Sequence, residues 1–185
     1  ALWHIGRVRP EQVLAPIYGS AWRYRHRARL SVREVAKKGT VLVGFHEKRS
    51  SFIADMKSCE ILPKRVSDLL VPLRELINSL SLRKKLPQIE LAVTDEALAL
   101  VLRVLEKLTA DDEAKLRQFQ KDYGVDFWYQ PKGPDSIYPM DPENATRLKL
   151  HHRETGVEVV FRPTDFTQVN HRLNEVMVTR VLRLL

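Results

Sequence analysis

Cysteine and glycine are both scarce in this sequence of 185 residues, and long apolar runs are absent. Because Cys59 is the only cysteine, an internal disulfide is excluded, which fits a protein of the reducing cytoplasm. The seven glycines never fall in the G-x-G-x-x-G spacing of a nucleotide-binding loop. No apolar run approaches the roughly 18 residues of a membrane span, and the start ALWHIGRVRP has no apolar signal-peptide region. We therefore expect a cytoplasmic protein with no membrane partner.

Recognisable catalytic residues are also lacking. His151 and His152 are adjacent, so on a strand they would point to opposite faces and make a poor metal pair. The acidic run 111–113 suits the N-terminal dipole of a helix better than acid–base catalysis. No G-x-S-x-G nucleophile turn occurs, and no two carboxylates have a sequence context that would bring them together. The chain alone therefore carries no catalytic set.

Positive charge is abundant and clustered near the start. Lys and Arg outnumber Asp and Glu by 31 to 23, which gives a net charge of +8 and favours a polyanionic partner, nucleic acid first. Arginines occupy every second position where a strand is predicted, so their guanidinium groups would project from one face toward phosphates. The alternative is an edge strand that charge protects from aggregation. We expect RNA to bind at four arginines: Arg23, Arg25, Arg27 and Arg29.

The hydrophobic pattern predicts an α+β fold with a mostly antiparallel sheet and packed helices. Thr109 to Asp112 resembles a capping box and opens a helix that ends at Gly124. Pro72 predicts a kink or two short helices in the helical region that begins at Pro63. The run 97–105 predicts a strand, although its Ala and Leu content equally favours a helix. The other predicted elements are a short helix at 2–8, strands at 24–35, 40–47, 51–55, 88–94 and 125–130, a loop at 131–145, and a hairpin of 148–152 with 157–161.

The stretch Phe161 to Asn170, FRPTDFTQVN, joins a predicted strand to a helix that runs to the last residue. Its amide pair, Gln168 and Asn170, is spaced to bracket a small polar target, although either side chain could instead cap the helix. The helix carries one apolar stripe: Leu173, Val176, Met177, Val181 and Leu184. Because this stripe needs a packing partner, we expect the chain to be a piece of a longer protein.

Four separated segments point to one known family: YRHRARLSVR (24–33), VGFHEKRSSFIADMKSCEIL (43–62), the Gly133-Pro134-Asp135 loop, and FRPTDFTQVNHRLNEVMVTRVLRLL (161–185). Together they resemble the 23S ribosomal RNA (uracil-5-)-methyltransferases, which form 5-methyluridine. The resemblance implies a protein of three parts: an OB-like RNA-binding domain, a central α/β domain, and a Rossmann-like methyltransferase domain. It assigns residues 1–167 to the central domain and 168–185 to the start of a linker helix toward the missing Rossmann-like domain.

The resemblance also implies roles for single residues. Cys59 matches the fourth ligand of a 4Fe-4S cluster, whose other three cysteines are absent from this chain; a lone cysteine is more often a small buried apolar residue. Gln168 matches a residue at the pocket for S-adenosylmethionine and the target base, and Asn170 lies beside it. The family's nucleophilic cysteine, which attacks carbon 6 of uracil, belongs to the missing domain.

The full-length protein is thus expected to methylate 23S rRNA, and this chain alone is expected to be inactive and to bind neither S-adenosylmethionine nor the cluster. Two alternatives stay open. One is a stand-alone RNA-binding module whose phosphate face is the arginine row. The other is a tRNA-directed uracil-5-methyltransferase; because such relatives typically lack the cluster, Cys59 in its SCEIL setting favours the ribosomal branch.

Overall fold

A six-stranded sheet organises the chain in the computed structural model, which describes residues 2–143, 145 and 147–185. Its strands are β1 (Arg27–Val35), β2 (Thr40–Gly44), β3 (Gln88–Val93), β4 (Leu98–Arg103), β5 (Asp126–Gln130) and β6 (Tyr138–Pro139), in the order β2-β1-β3-β4-β5-β6. Only β4 and β5 pair in parallel; the other neighbours are antiparallel. A separate hairpin joins β7 (Leu148–His152) to β8 (Val157–Phe161). The helices are α1 (Lys64–Ser67), α2 (Leu70–Ser79), α3 (Ala110–Tyr123) and α4 (His171–Leu182). The predicted α+β class and mostly antiparallel sheet are confirmed.

One face of the sheet forms the main core. Side chains at alternating positions of the strands, such as Leu30, Leu91 and Leu100, are almost completely buried there together with Phe127. Leucines of α2 and Leu116 of α3 cover this face. The run 97–105 is a strand rather than a helix because β4 lies at the centre of the sheet and is buried on both faces, which favours a continuous apolar sequence.

Helix α3 makes the crossover between the parallel strands, and its two ends are formed as predicted. Thr109 and Asp112 complete the capping box, and Gly124 ends the helix with φ at 60°, in the left-handed region. Asp112 is fully buried and accepts hydrogen bonds from the backbone and side chains of both Ser81 and Thr109. Burial raises the pKa of the Asp112 carboxyl, but these hydrogen bonds outweigh it and leave the pKa at about 2.

Pro72 lies within α2 and does not break it. It is the third residue of the helix, where backbone N–H groups have no partner within the helix, so the missing donor costs little. A second short helix, α1, does precede α2, but the break between the two falls at residues 68–69, so the interruption predicted at Pro72 is wrong.

Several predicted elements are wrong or shorter than expected. Residues 2–6 form turns instead of a helix, and Arg7 has φ at 54°, which a helix does not accept. Strand β2 ends at Gly44, where an added Cβ would lie 2.8 Å from the Ala54 carbonyl oxygen, so the two backbones pack directly together. The predicted strand 51–55 reduces to one isolated bridge between His46 and Ile53. The predicted loop 131–145 contains β6, and its residue Asn144 lies outside the described residues.

The hairpin packs on the second face of the sheet and supports α4. Leu148 and Phe161 are buried against Ala92 and Ala99. At the other end of the hairpin, Arg183 of α4 pairs with Glu154 at 2.8 Å. The apolar stripe of α4 stays largely exposed, as expected; Val181, for example, is 55% exposed. No helix within residues 2–143, 145 and 147–185 is long and apolar enough to cross a membrane.

Candidate nucleic-acid interface

The part of the second sheet face that the hairpin leaves uncovered is polar and basic. Along β1, Arg27, Arg29, Ser31 and Arg33 alternate with buried Ala28, Leu30 and Val32. Across the sheet, Ser31 pairs with Gln88 of β3, and Gln88 pairs with Arg103 of β4. Arg29, Arg33 and Arg103 are exposed. We call these three arginines with Gln88 the open sheet face. Its guanidinium groups are presented on a rigid surface, as phosphate binding requires.

Arg29 is the one member of the predicted arginine row that lies exposed on the strand. Its guanidinium donates to Oε1 of Glu90 at 2.8 Å, and Gln88 donates to the same oxygen at 2.9 Å. The Glu90 side chain is nearly buried, with 11% exposed, whereas the Arg29 side chain is 66% exposed. The Arg29 guanidinium is therefore held on one edge by Glu90, and most of the side chain faces solvent.

Arg23 and Arg25 do not belong to that row, contrary to the predicted strand start at residue 24. Arg23 has φ at 58°, and its backbone N–H donates to Glu60, while that of Arg25 donates to Ile61. The Arg23 side chain is also held by this loop, since it donates to the carbonyl oxygens of Cys59 and Leu62 and pairs with Glu60 at 2.8 Å. Because the backbone bonds of 23–25 go to the loop and not to a neighbouring strand, β1 begins only at Arg27.

Arg27 points from the expected face but is half-buried. Burial lowers the pKa of its guanidinium, and the nearby Glu90 and Asp165 carboxylates work against that change. Its Nη1 atom is buried without a hydrogen-bond partner among the described residues, and so is Nε of Arg25. The side chains of Arg27 and Arg25 are therefore packed into the structure more deeply than those of surface arginines that contact phosphates need to be.

Cys59 lies in the loop before α1 and is half-buried against the main core. Its backbone N–H donates to Oγ of Ser67 at 2.8 Å, and its carbonyl oxygen accepts from Arg23 at 3.0 Å. The loop around the thiol is thus fixed on both sides. Within the described part of the chain, no group of three His, Cys, Asp or Glu side chains could hold a metal ion.

The two predicted amides before α4 have different surroundings. Asn170 is the N-cap residue, and its Oδ1 accepts from the backbone N–H of Leu173 at 3.0 Å. Gln168 is exposed, and its side chain makes no hydrogen bond within the part of the chain that the structure describes. The capping alternative therefore describes Asn170, and the amide of Gln168 is available to a ligand.

A stacked histidine pair fixes the start of α4 against the sheet. The rings of His26 and His171 lie 4.6 Å apart at an angle of 20°, and the backbone N–H of His26 donates to Val169. Burial, together with the neighbouring His26, lowers the pKa of His171 to about 4. His171 is therefore uncharged near neutral pH. The stacked pair holds the start of α4 close to the first residue of β1.

Sequence reasoning missed Arg33 and Arg103 of the open sheet face. Arg33 continues the alternation of Arg27 and Arg29 beyond one serine, so the same pattern could have found it. Arg103 comes beside the other arginines only through the pairing of β1, β3 and β4, which the sequence pattern does not specify.

Comparison with known proteins identifies relatives along the whole chain, although no family model matches it. The chain is 59% identical over 184 residues to the 23S rRNA (uracil(1939)-C(5))-methyltransferase of Burkholderia lata and 58% identical to the protein of that name from Cupriavidus necator. All of this chain aligns in both cases, but it covers only 39% and 42% of those proteins.

A solved structure shares the fold. It is the crystal structure of a Pyrococcus abyssi tRNA (uracil-54, C5)-methyltransferase in complex with S-adenosyl-L-homocysteine. The match has a TM-score of 0.62 at 16% identity and covers 90% of this chain and 42% of that one. At this identity the match speaks for the fold alone. The curated relatives carry more weight: by sequence, this chain is similar over its whole length to the 23S rRNA (uracil(1939)-C(5))-methyltransferases named above, and it spans about two fifths of their length.

Proposed function

We propose that this chain is the RNA-contacting central section of an S-adenosylmethionine-dependent enzyme that forms 5-methyluridine in 23S rRNA. The observation that carries the proposal is the 59% identity along the whole chain to a protein of that name. Because the chain spans about two fifths of such relatives, the activity is proposed for a protein that contains this chain and not for the chain by itself.

Charge and geometry support the RNA contact. The net charge of +8 favours a polyanion, and the open sheet face presents three exposed arginines on paired strands. We propose Arg29, Arg33 and Arg103 as phosphate contacts. Among the other arginines expected to contact phosphates, Arg27 is half-buried. Arg23 donates hydrogen bonds to the loop at residues 59–62, and the backbone N–H of Arg25 donates to Ile61 of the same loop.

Gln168 is proposed to contact the target base or the cofactor. Its side chain is exposed and has no partner among the described residues, and an amide can both donate to and accept from the polar edge of a uracil turned out of the RNA. S-adenosylmethionine, when bound, supplies the methyl group. We propose that Asn170 acts beside Gln168 mainly by capping α4, because the cap holds the segment that contains Gln168 at the start of the helix.

Cys59 is proposed as one ligand of a 4Fe-4S cluster in a protein that supplies three further thiolates. An iron–sulfur cluster is commonly held by about four cysteines, and this sequence has one. The described residues therefore do not fit a cluster by themselves, and no step of the reaction is derived through it. The loop fixed by Ser67 and Arg23 would keep the thiol in one position for such a ligand set.

Residues 1–167 are proposed as a central domain and 168–185 as the start of a linker helix. The exposed stripe of α4 supports this division, because an apolar helix face is normally covered by a packing partner. We propose that the partner is the methyltransferase part of the protein, which the relatives' additional length would provide.

A stand-alone RNA-binding module is the second candidate, which the open sheet face favours. Transfer of labelled methyl groups from S-adenosylmethionine distinguishes the two. We expect a protein that joins this chain to the remaining length of its relatives to label a 23S rRNA transcript and not tRNA, and we expect the 185-residue chain to label neither. Label transferred by the chain alone would contradict the proposed division of labour, and label on tRNA would favour the tRNA-directed alternative.

A further inference from the structure

A short loop, residues 47–52, follows β2 and is fixed to the edge of the open sheet face. The Arg33 guanidinium donates to the carbonyl oxygen of Ser51 at 3.0 Å, and the side chains of Ser31 and His46 form a hydrogen bond of 2.9 Å. Because β2 is the edge strand beside β1, the loop continues the surface that we propose as a phosphate contact.

Phe52 is held firmly in this loop, yet its side chain lies in solvent. Its backbone N–H donates to Oγ of Ser50 at 2.9 Å, and its carbonyl oxygen accepts from the N–H of Glu47 at 3.0 Å. The next residue, Ile53, is buried, so Phe52 points the other way and is 69% exposed. A single exposed apolar residue is common on protein surfaces, so the groups around Phe52 decide what it binds.

The loop also carries cations that have no partner. Lys48 and Arg49 are exposed at its tip, and their side chains make no ion pair or hydrogen bond within the part of the chain that the structure describes. Together with Arg33 they set three cations against one carboxylate, that of Glu47. The surroundings of the Phe52 ring therefore favour an anionic ligand with a flat apolar part.

Unpaired RNA has both parts. Its bases stack on exposed aromatic rings, and its phosphates bind Lys and Arg side chains beside those rings. The open sheet face offers three guanidinium groups and one amide, so Phe52 adds the stacking surface that this face does not have. A protein segment that covered Phe52 would instead leave Lys48 and Arg49 without a counter-charge unless it were acidic, and base-paired RNA would leave the ring unused.

We propose that Phe52 stacks on one unpaired base of the RNA substrate, and that Lys48 and Arg49 contact the phosphates beside that base. This base is a second one, in addition to the uracil assigned to Gln168. The proposal rests on the proposed RNA contact of this chain, and it adds that the RNA is single-stranded where it passes the loop at residues 47–52.

Three oligonucleotides separate stacking from phosphate contacts. The first is a short single-stranded RNA without self-complementarity, the second is an oligomer with the same number of phosphates but no bases, and the third is the first strand annealed to its complement. Equilibrium binding to the 185-residue chain is measured for each. We expect the single strand to bind more tightly than the abasic oligomer.

Two replacements of Phe52 test the ring. Phe52→Ala should weaken binding of the single strand by about 5- to 150-fold and should leave binding of the abasic oligomer and the duplex unchanged. Phe52→Trp keeps a stacking surface, so we expect its affinity to be retained. Its emission in excess of that of the three natural tryptophans should be quenched by the single strand and not by the abasic oligomer.

Lys48→Gln with Arg49→Gln tests the phosphate contacts. Loss of two contacts should lower the slope of log affinity against log salt by about 1.4 for the single strand. Tyr123→Ala is the matched control, because Tyr123 is an exposed aromatic residue of α3, which covers the opposite face of the sheet. We expect it to leave RNA affinity unchanged, and thermal unfolding checks that each variant folds.

The outcomes distinguish this proposal from the proposed function. If the chain binds RNA but Phe52→Ala leaves the affinity for the single strand unchanged, or weakens the single strand and the abasic oligomer equally, stacking is overturned and the open sheet face stands. An unchanged salt slope for the Lys48 and Arg49 variant overturns their phosphate contacts. If the chain binds none of the three oligonucleotides, the proposed RNA contact fails as well.

Discussion

Replacement of Asp112 by asparagine tests how the crossover helix is fixed to the rest of the fold. The carboxylate accepts four hydrogen bonds, at 2.8 and 2.6 Å from Ser81 and at 3.2 and 2.8 Å from Thr109. Asparagine has nearly the same shape, but its NH₂ group would face donors and could not accept from them. The start of α3 would lose part of its cap and its connection to the segment after α2.

The size of the effect follows from the pKa of the Asp112 carboxyl. A folded-state pKa of about 2 in place of the usual 3.8 corresponds to preferential stabilisation of the charged form, worth about 2.5 kcal/mol. We therefore expect Asp112→Asn to lower the free energy of unfolding at pH 7 by about 2–3 kcal/mol. Because the folded pKa is depressed, this contribution is complete above pH 3.8 and is lost as the pH falls toward 2.

Urea unfolding followed by circular dichroism measures the difference at pH 7 and at pH 2.5–3, with the m-value as a check on two-state behaviour. The matched control is Asp111→Asn, since Asp111 is exposed and pairs with Lys115 on the helix surface; we expect a change within about 0.5 kcal/mol. A loss below about 1 kcal/mol for Asp112→Asn, or a difference that does not shrink at low pH, would refute the reasoning.

Three further perturbations test other parts of the structure. Asn170→Ala should lower the free energy of unfolding by about 1 kcal/mol because it removes the cap of α4, whereas Gln168→Ala should change it by less than about 0.5 kcal/mol; equal losses in thermal or urea unfolding would contradict their different surroundings. Arg33→Gln with Arg103→Gln should lower the salt slope of RNA binding by about 1.4 and the free energy of unfolding by about 1 kcal/mol at most, because Arg33 also donates to the Ser51 carbonyl oxygen at 3.0 Å; an unchanged slope would remove the open sheet face from the RNA interface. Leu100→Ala at the buried centre of β4 should cost about 2–5 kcal/mol in urea unfolding, and a loss under about 1 kcal/mol would contradict the packing of the main core.

Local signals in the sequence predicted several elements well. The ends of α3 follow from Thr109, Asp112 and Gly124, each of which acts on backbone groups within a few residues of itself. The hairpin of β7 and β8 likewise follows from a short turn between two apolar runs. These features need no knowledge of the rest of the fold, which is why pattern reasoning finds them.

Features that depend on distant contacts could not be predicted in the same way. Strand β1 starts late because the backbone of 23–25 bonds to the loop at 60–61, more than 30 residues away. The run 97–105 became a strand through its central position in the sheet, since its propensity alone was ambiguous. The sequence pattern therefore starts the arginine row at Arg23, four residues before Arg27, its first member on β1, and it omits Arg33.

In the candidate site, too, local features could be predicted from the sequence and features that depend on distant contacts could not. The sequence singled out Gln168 and Asn170, and only the structure separates a capping amide from an available one. The open sheet face combines residues from β1, β3 and β4. No local pattern joins these strands, because their proximity results from their pairing in the sheet.

We propose that the protein containing this chain makes 5-methyluridine in 23S rRNA. The most direct measurement is mass spectrometry of nucleosides from purified 23S rRNA and tRNA after deletion of the gene that encodes it. We expect one 5-methyluridine of 23S rRNA to disappear, the gene to restore it, and tRNA 5-methyluridine to be unchanged. Unaltered 5-methyluridine in the 23S rRNA of the deletion strain would contradict the account.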